Sequence, residues 1–490
     1  MKNKKTYVLS IDQGSTSTRA VIYDENLNLI SNAYIKTREI YPQYGWVEQN
    51  PNEIIDSVKK TIFRSIKEAN LKIETIQSIG ITNQRESIVF WDKKTKLSLS
   101  NMISWQCLRG MDFCKSIKNT EIETKINSAT GLKVDPYFSF SKIIWALNNN
   151  KKINESLKNN TLALGTIDSW IMFNILENNP HFTDITNASR TGLFNTLDEK
   201  WDLEILKILN INKEVLPKVF SSDRTFGKLN KKIFGSNIPI TSVLGDQHSS
   251  LYAHKNNKKF EIKCTYGTGG FLLIDTGNER FNYNNNFLST VAYKKDKKTT
   301  YALEGSILSA GSALEWMKSI NVIDSFEKIE ENLSNTKFGE LIFIPALNGL
   351  GAPFWNGNIR ASIENITNKT NKNDILRAAL ESIAFSTKSI LKTIEITTKY
   401  KIDVLKIDGG MSKNSFFSSF LADLLGIKVK VATNSEMTSM GVAKMSLEKH
   451  VENLSLKNLY IEYKPIKKNF KKFNDKFFKW EKIIENKLKD

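Results

Sequence analysis

The spacing of apolar positions in the N-terminal part of the chain changes between strand and helix periods. Residues 7–12 and, after a turn rich in glycine and hydroxyl side chains, residues 19–24 predict a β-hairpin. Asn50, Pro51 and Glu53 predict the start of a helix in the capping-box arrangement. Behind them apolar residues recur at helical spacing, namely Ile54, Ile55, Val58, Ile62, Phe63 and Ile66. Residues 76–81 predict a further strand, so this part is expected to be α/β.

The second half of the chain repeats this theme. Residues 264–276 predict another glycine-centred hairpin, and residues 404–408 predict a strand that enters a Gly-Gly turn. Helices are predicted over residues 373–400 and 414–425, on either side of that strand in the sequence. Two α/β units, each with a glycine-marked hairpin, indicate a duplication around a cleft.

The domain boundary is expected near residue 255. We predict an N-terminal domain over residues 1–254 and a C-terminal domain over 255–490, with the seam in the polar stretch 254–259. The lysine-rich end, residues 464–490, predicts a surface helix that packs over a domain, with a partner-binding tail as the alternative.

Length and composition support two globular domains. A chain of 490 residues exceeds the roughly 250 to 300 residues that one hydrophobic core holds. No stretch of about 18 apolar residues occurs, so no membrane insertion is expected. The N-terminus passes from a few lysines straight into a short apolar strand, without the pattern of a secretory signal, so a cytoplasmic location is expected.

The cysteines, the histidines and the net charge limit the kinds of site and partner that we expect for this chain. The chain has three cysteines, Cys107, Cys114 and Cys264. None of them is in CxxC spacing, so neither a disulfide framework nor a zinc site is predicted. The four histidines are scattered, so carboxylates are expected to carry the chemistry. A net charge of +18 raises the alternative of nucleic-acid binding. Because the lysines are spread along the whole chain, we expect no nucleic-acid partner and interpret the charge as a solvated basic surface.

The first candidate site is the segment IDQGSTSTR in the N-terminal hairpin. Asp12 ends a strand, Gly14 permits a tight turn, and hydroxyl residues and an arginine follow: Ser15, Thr16, Ser17 and Arg19. Amides and hydroxyls in such a turn can hold phosphate oxygens, and the aspartate can hold Mg²⁺. The alternative is a plain hairpin turn.

The second and third candidates also follow predicted strands. In TNQRE, Arg85 offers a fork of donors and Glu86 offers acceptors, so the pair can bind the hydroxyls of a small polyol. The alternative there is a surface ion pair. In GDQ, Asp246 is a candidate general base and Gln247 can orient the attacking hydroxyl. The alternative is an aspartate that caps the next helix through the amide of Ser249.

Two glycine turns complete the set of candidates. In YGTGGF, residues 266–271, the backbone can approach phosphates closely because side chains are absent from the glycines. In IDGGMSKNSF, Asp408 ends a strand and Gly410 and Asn414 precede a helix, an arrangement that binds nucleotides at helix N-termini. Ordinary packing is the alternative for both turns.

These motifs in this order resemble the glycerol kinase branch of the FGGY carbohydrate kinases. The resemblance spans residues 7–443 and includes TNQRE, NASRTGLF, WVEQNP, DPYFS, GDQ, YGTGG, YALEGS, GLGAPFW, RAALESIAF and IDGG. It implies an α/β protein with two actin-like, ribonuclease H-like domains that flank a deep catalytic cleft. It also implies transfer of the terminal phosphoryl group of ATP to glycerol, giving sn-glycerol 3-phosphate, with Mg²⁺ and in a homodimer or homotetramer.

The resemblance assigns roles residue by residue. Glycerol would be bound by Arg85, Glu86, Trp105, Tyr137, Asp246, Gln247 and Phe271, with Asp246 as the base. The nucleotide would be bound by Ser15, Thr16, Ser17, Arg19, Thr268, Gly311, Glu315, Gly410 and Asn414. Asp12 and Asp246 would lie near the metal ion.

The sequence departs from the family pattern at several positions. Glu315 stands where the family commonly has glutamine near the adenosine, and Gly270 replaces a usual cysteine. Ala146, Ala361 and Asn365 occupy positions that usually hold glycine. The segment GKLNKKIFGSNIP contains neither a fructose-bisphosphate loop nor a histidine, so we predict neither form of regulation. Two alternatives stay open: a kinase of another small polyol or ketose, and a non-catalytic scaffold.

Overall fold

A computed structural model describes residues 5–255, 260–282, 286–334, 336, 338–451, 454 and 459–489. Up to residue 254 the strands are β1 (Tyr7–Gln13), β2 (Ser17–Asp24), β3 (Leu29–Lys36), β4 (Glu48–Gln49), β5 (Ile76–Asn83), β6 (Ile88–Asp92), β7 (Met102–Ile103), β8 (Leu162–Thr166), β9 (Phe182–Asp184), β10 (Phe194–Asn195), β11 (Lys200–Trp201), β12 (Lys218–Phe220), β13 (Gly227–Lys228) and β14 (Pro239–Gly245). The helices are α1 (Pro51–Glu68), α2 (Met111–Ser116), α3 (Glu121–Thr130), α4 (Ser139–Asn149), α5 (Lys151–Lys158), α6 (Ile167–Ile175), α7 (Ile185–Ala188), α8 (Leu203–Ile208), α9 (Lys231–Phe234) and α10 (Asp246–His254).

In the second half the strands are β15 (Ile262–Tyr266), β16 (Gly270–Gly277), β17 (Leu288–Lys295), β18 (Lys298–Ile307), β19 (Ile342–Ile344), β20 (Ser362–Glu364), β21 (Val404–Asp408), β22 (Lys428–Ala432) and β23 (Tyr460–Tyr463). The helices are α11 (Gly311–Ser319), α12 (Ile329–Ser334), α13 (Lys372–Thr398), α14 (Ser415–Leu425), α15 (Met437–Leu447) and α16 (Lys467–Lys487). The hairpin, the strand and both helices that were predicted in this half are therefore present. Of the predicted seam, residues 256–259 lie outside the described residues.

The two large sheets share one topology. The first has the order β13-β14-β5-β1-β2-β3, in which β1, β2 and β3 are antiparallel neighbours and β1, β5 and β14 are parallel. The second has the order β17-β18-β16-β15-β21-β22-β23. In it, β15, β16 and β18 are again antiparallel neighbours and β15, β21 and β22 are parallel, with β17 and β23 added as antiparallel edge strands. This repeated order is that of ribonuclease H-like domains and confirms the predicted duplication.

Two helices join the halves. Helix α15, from the second half, packs on β1, β5 and β14 of the first sheet, and α10 packs on β15, β16 and β17 of the second. The helices also pack against each other, and a Cβ atom at Gly441 would lie 1.8 Å from the carbonyl oxygen of Ser249. Only glycine permits this approach. Each half thus contributes one helix that packs on the sheet of the other half, and we call this the exchange of α10 and α15. It fixes the carboxyl ends of the parallel strands of both sheets relative to each other.

Helix α1 corrects two details of the sequence prediction. The side chain of Asn50 accepts hydrogen bonds from the amides of Asn52 and Glu53, as an N-cap does. The carboxylate of Glu53 contacts the side-chain amide of Asn50 at 3.5 Å and not its backbone N–H, so the capping-box prediction is wrong in its second half. Phe63 is 45% exposed and stacks on Phe234, so it does not belong to the buried face of the helix.

The C-terminal helix packs on the second domain as predicted. Phe473, Phe477, Trp480 and Ile484 of α16 are buried in the core that α13 and α14 also line. A membrane-spanning helix needs both length and an apolar composition, and no helix among the described residues combines the two. The three cysteines are buried free thiols.

Candidate active site

The parallel strands β5 and β14 bring two of the predicted motifs together. Asn83 and Gly245 are register partners at the ends of these strands, so the segments that follow them start side by side. Arg85 and Glu86 follow one strand, and Asp246 follows the other. The carboxyl ends of parallel strands are where open α/β sheets bind ligands.

Arg85 connects the candidate base to the second half of the chain. Its Nε lies 3.2 Å from Oδ1 of Asp246, and Nη1 and Nη2 contact the carboxylate of Glu304 at 2.5 and 3.2 Å. The side chains of Arg85 and Glu86 are each 2% exposed, and their nearest charged atoms are 4.0 Å apart. The alternative of a surface ion pair is therefore wrong.

Arg190 completes a buried cluster of two arginines and two glutamates. It donates from Nε to Oε1 of Glu86 at 2.6 Å and from Nη2 to Oε1 of Glu304 at 3.0 Å. Burial alone would raise the pKa of Glu304, but Arg190 and Arg85 lower it to about 2. Burial raises the pKa of Glu86, against the opposing effect of Arg190. Glu86 also has a φ of 62°, a left-handed conformation that is strained for this residue type.

Burial and a nearby arginine determine the electrostatics of Asp246, the candidate general base. It is the first residue of α10, and its Oδ1 accepts from the amide of Gln247 at 2.6 Å. The bond to Ser249 that the capping alternative requires is not among the hydrogen bonds of the described residues. Burial raises the pKa of Asp246, while Arg85 acts in the opposite direction. A raised pKa brings a carboxylate closer to the range of an efficient base.

Two aromatic rings lie near this cluster, one of them with its centroid 5.8 Å from Cζ of Arg190. The rings of Trp105 and Tyr137 meet edge to face with centroids 5.5 Å apart. Trp105 donates from Nε1 to Oγ of Ser15 at 2.9 Å, which ties the predicted polyol site to the predicted phosphate turn. The buried ammonium of Lys142 donates to the carbonyl oxygens of residues 136–138 and holds the segment that carries Tyr137. Phe271 lies on β16 opposite Thr265.

Hydrogen bonds from residues outside the hairpin stabilise the turn between β1 and β2. The carbonyl oxygen of Ser15 accepts from Thr37 Oγ1 at 2.9 Å and from Gln49 Nε2 at 2.7 Å. Thr16 is exposed at the tip of the turn, and Ser17 begins β2. A surface cavity of about 220 Å³ borders Thr37 and Gln49 and does not include the polar cluster at the strand ends.

Arg19 has a partner that the sequence did not indicate. Its Nη1 donates to both carboxylate oxygens of Glu436, at 2.6 and 2.5 Å. Glu436 immediately precedes α15, so this ion pair is a second connection between the halves. The Arg19 side chain remains 38% exposed.

The predicted nucleotide residues of the second half lie at two glycine-containing turns, which we call glycine corners. The first contains Thr268 and Gly311, and the second contains Gly410 and Asn414. The carbonyl oxygen of Thr268 accepts from the amides of Ala310 and Ser312, and the amide of Gly311 donates to Gly267 at 3.0 Å. A Cβ atom at Gly311 would lie 2.5 Å from the oxygen of Gly267, so the contact between turn and helix requires glycine. Glu315 is exposed one turn further along α11.

The second corner follows β21. A Cβ atom at Gly410 would meet no protein atom within 4 Å, which leaves open space above the turn. Asn414 caps α14 by accepting from the amide of Phe417 at 2.8 Å. An open glycine turn beside a helix N-terminus fits a nucleotide.

The donor set near Asp12 fits a hard divalent cation bound together with phosphates. Asp12 accepts from Ser439 Oγ at 3.4 Å, and its pKa is raised to about 7 by burial, with Arg19 opposing and Glu436 and Asp246 adding to the rise. Among the described residues no three histidine, cysteine or acidic side chains form a metal-binding group. Two carboxylates that lack a full protein ligand set fit Mg²⁺, which keeps waters and takes phosphate oxygens as ligands.

Two of the departures from the family pattern have local explanations. Asn365 has a φ of 66°, and asparagine adopts this conformation more readily than most residues, so it can replace glycine there. A Cβ atom at Gly270 would lie 3.1 Å from Cδ1 of Ile307, so the isoleucine occupies the space next to it.

Sequence reasoning missed four charged residues of the site. Arg190 and Glu304 lie in NASRTGLF and YALEGS, motifs that carried the resemblance without an assigned role. Lys263 precedes the YGTGG turn, and Glu436 lies outside every motif considered. The sequence signal for Arg190 and Glu304 was a single charged residue inside a segment of mostly apolar or small residues.

The duplicated sheets and the exchanged helices define a protein of the actin-like ATPase fold, with polar strand ends of both halves at one site. Family models for the N-terminal and C-terminal domains of the FGGY family of carbohydrate kinases match residues 7–253 and 262–447. The chain belongs to this family.

Relatives with known names agree with this assignment. A glycerol kinase of Streptococcus pneumoniae is 39% identical over 449 residues, which cover 90% of this chain and 88% of that protein. The crystal structure of Plasmodium falciparum glycerol kinase with ADP is similar with a TM-score of 0.90 and 34% identity, covering 98% of both chains. A gluconate kinase from Lactobacillus acidophilus, at 22% identity and a TM-score of 0.87, shares the fold.

Proposed function

We propose that this protein transfers the terminal phosphoryl group of ATP to a primary hydroxyl of glycerol and forms sn-glycerol 3-phosphate. The proposal is supported by the relatives named above and by the arrangement of Arg85 and Asp246. The 3.2 Å contact between Arg85 Nε and Asp246 Oδ1 puts a donor fork for polyol oxygens directly beside a carboxylate that can accept a proton.

The residues of the polyol site act in complementary ways. Asp246 accepts the proton of the attacking hydroxyl, and Gln247 orients the substrate next to it. Arg85 donates to hydroxyl oxygens, and Glu86 accepts from hydroxyl hydrogens through Oε2, because Oε1 is taken by Arg190. Trp105, Tyr137 and Phe271 cover the carbon atoms and exclude water that would compete as a nucleophile.

The nucleotide is held by both halves of the chain in this proposal. Its contacts come from Ser15, Thr16, Ser17, Arg19, Thr268, Gly311, Glu315, Gly410 and Asn414. Mg²⁺, held near Asp12 and Asp246, would neutralise charge on the phosphoryl oxygens. Residues 1–254 thus bind mainly glycerol and residues 255–490 mainly the nucleotide. A cytoplasmic location and assembly into a dimer or tetramer are further parts of the proposal, which rest on the family resemblance.

The test is ADP release by the purified protein with ATP, with and without glycerol and with and without Mg²⁺. We expect release that requires both additions. Asp246→Asn should lower kcat by on the order of 10² to 10⁴, the range for loss of a general base, with a smaller change in KM for glycerol. Asp198→Asn, at a position whose side chain is 53% exposed, is the matched control. Unchanged kcat in Asp246→Asn would refute the assignment of the base, and glycerol-independent release would refute the substrate.

A further inference from the structure

Lys263 is a buried cation directly behind the predicted polyol site. It lies on β15 and is 0% exposed. Its Nζ donates to Oε1 of Gln247 at 2.6 Å and to Oγ1 of Thr265 at 2.8 Å. No carboxylate oxygen of the described residues lies within the 4.0 Å of an ion pair with this ammonium. Burying an ammonium is costly, and here Asp408 and Asp246 offset the cost of burial only through charge interactions without a direct ion pair.

The contact with Lys263 determines the orientation of the side-chain amide of Gln247. An ammonium carries three donors and no acceptor, so it can bond only the oxygen of an amide. If the amide were reversed, two donors would face each other in a buried place. The amide nitrogen is therefore turned away from Lys263, and this Nε2 has no hydrogen-bond partner within the part of the chain that the structure describes.

The free amide nitrogen belongs to the residue next to the candidate base. Gln247 follows Asp246 at the start of α10, and its own backbone N–H is bonded to the Asp246 carboxylate. The pair thus offers a carboxylate that accepts and an amide that donates. A polyol hydroxyl supplies one hydrogen and two lone pairs, which matches this combination.

We propose that Lys263 is a positioning residue that fixes the Gln247 amide with its nitrogen toward the substrate, so that this position recognises a hydroxyl oxygen. This inference rests on the proposed glycerol kinase activity and extends it. Lys263 touches no substrate atom and acts through Gln247. Without the ammonium the amide can rotate, and part of the population presents its oxygen to the substrate.

The test is a double-mutant cycle between Lys263→Met and Gln247→Met. Methionine has a length similar to that of lysine and removes the charge. We expect each single variant to raise KM for glycerol about tenfold to a hundredfold, the range for loss of a hydrogen bond in a charged network, with kcat within about threefold of the wild type. Because Lys263 acts through Gln247, the double variant should be no worse than Gln247→Met alone. Thr265→Val, which removes the other acceptor of Lys263, should leave KM within about threefold of the wild type.

Two substrate analogues provide a readout that a merely structural role would not change. 1,2-Propanediol and 1,3-propanediol each lack one hydroxyl of glycerol. For the analogue that lacks the hydroxyl bound by Gln247, Lys263→Met should cost less than about threefold in kcat/KM. Where Lys263→Met does not fold, as judged by circular dichroism and thermal melting, Lys263→Gln replaces it and should still raise KM for glycerol.

The outcomes separate this inference from the proposed function. A wild-type protein that releases no ADP with glycerol refutes the proposed function itself. If the wild type is active and KM for glycerol in the double variant rises by the product of the two single-variant factors, the two residues act independently. That result overturns the role of Lys263. The same holds if the loss in Lys263→Met falls on kcat and leaves KM unchanged, because the lysine would then act on the reaction and not on substrate recognition.

Discussion

Arg85 and Glu304 form a buried ion pair that joins the two halves of the chain across the candidate site, with 2.5 Å between Nη1 and Oε2. Glu304 also accepts from Arg190, so a single carboxylate of the second half holds two arginines of the first. The arginine that faces the candidate base is therefore positioned by a residue 219 positions away in the sequence. The geometry of the candidate site and the connection between the two halves depend on the same contact.

Glu304→Gln should destabilise the fold strongly. Removing one partner of a buried ion pair leaves an uncompensated charge and costs about 3 to 5 kcal/mol in the free energy of unfolding. The measurement is urea unfolding followed by circular dichroism. Glu340→Gln is the control, because Glu340 and its partner Lys479 are 66% and 57% exposed and such pairs are worth about 0 to 1 kcal/mol. Equal losses in the two variants would contradict the central role of Glu304.

Two glycines of the nucleotide side should respond differently to alanine. At Gly311 the new methyl group would collide with the oxygen of Gly267, so we expect the free energy of unfolding to fall by about 1 to 3 kcal/mol. At Gly410 the methyl group meets no protein atom, so stability should change by less than about 0.5 kcal/mol while ADP affinity falls by about tenfold or more. Thermal melting and calorimetric ADP titration measure these effects. Normal ADP binding by Gly410→Ala would contradict the placement of the nucleotide there.

His181 should make stability depend on pH. Its Nε2 lies 2.9 Å from the carbonyl oxygen of Leu164, its ring packs edge to face on Trp91, and burial lowers its pKa to about 4. A histidine with a depressed folded pKa stays neutral while the unfolded chain takes up a proton, so stability falls as pH drops from 6.5 towards 4.

His181→Gln isolates this effect because glutamine does not titrate. Between pH 7 and pH 4 the wild type should lose about 2 to 3 kcal/mol more than the variant in the free energy of unfolding. Urea unfolding at several pH values measures the difference. Parallel stability curves for the two proteins would show that His181 is not buried in its neutral form.

The local elements of this fold followed from the sequence alone. The hairpins, the strand at residues 404–408 and the helix capped by Asn414 depend on spacing and turn residues within a few positions of each other. Asp246 and Arg85 were found because polar residues directly after apolar strands are a local signal. The same signal predicted that ligands bind at the strand ends.

The partners of these residues could not be found in this way. Arg85 meets Glu304, Arg19 meets Glu436, and Gln247 meets Lys263 only because the strand order and the exchange of α10 and α15 bring the two halves together. The sequence determined which segments form strands, helices and glycine turns, since those depend on neighbouring residues. The tertiary structure alone decided which charges share a buried site, because the pairing of distant charges depends on how the sheets pack and not on local pattern.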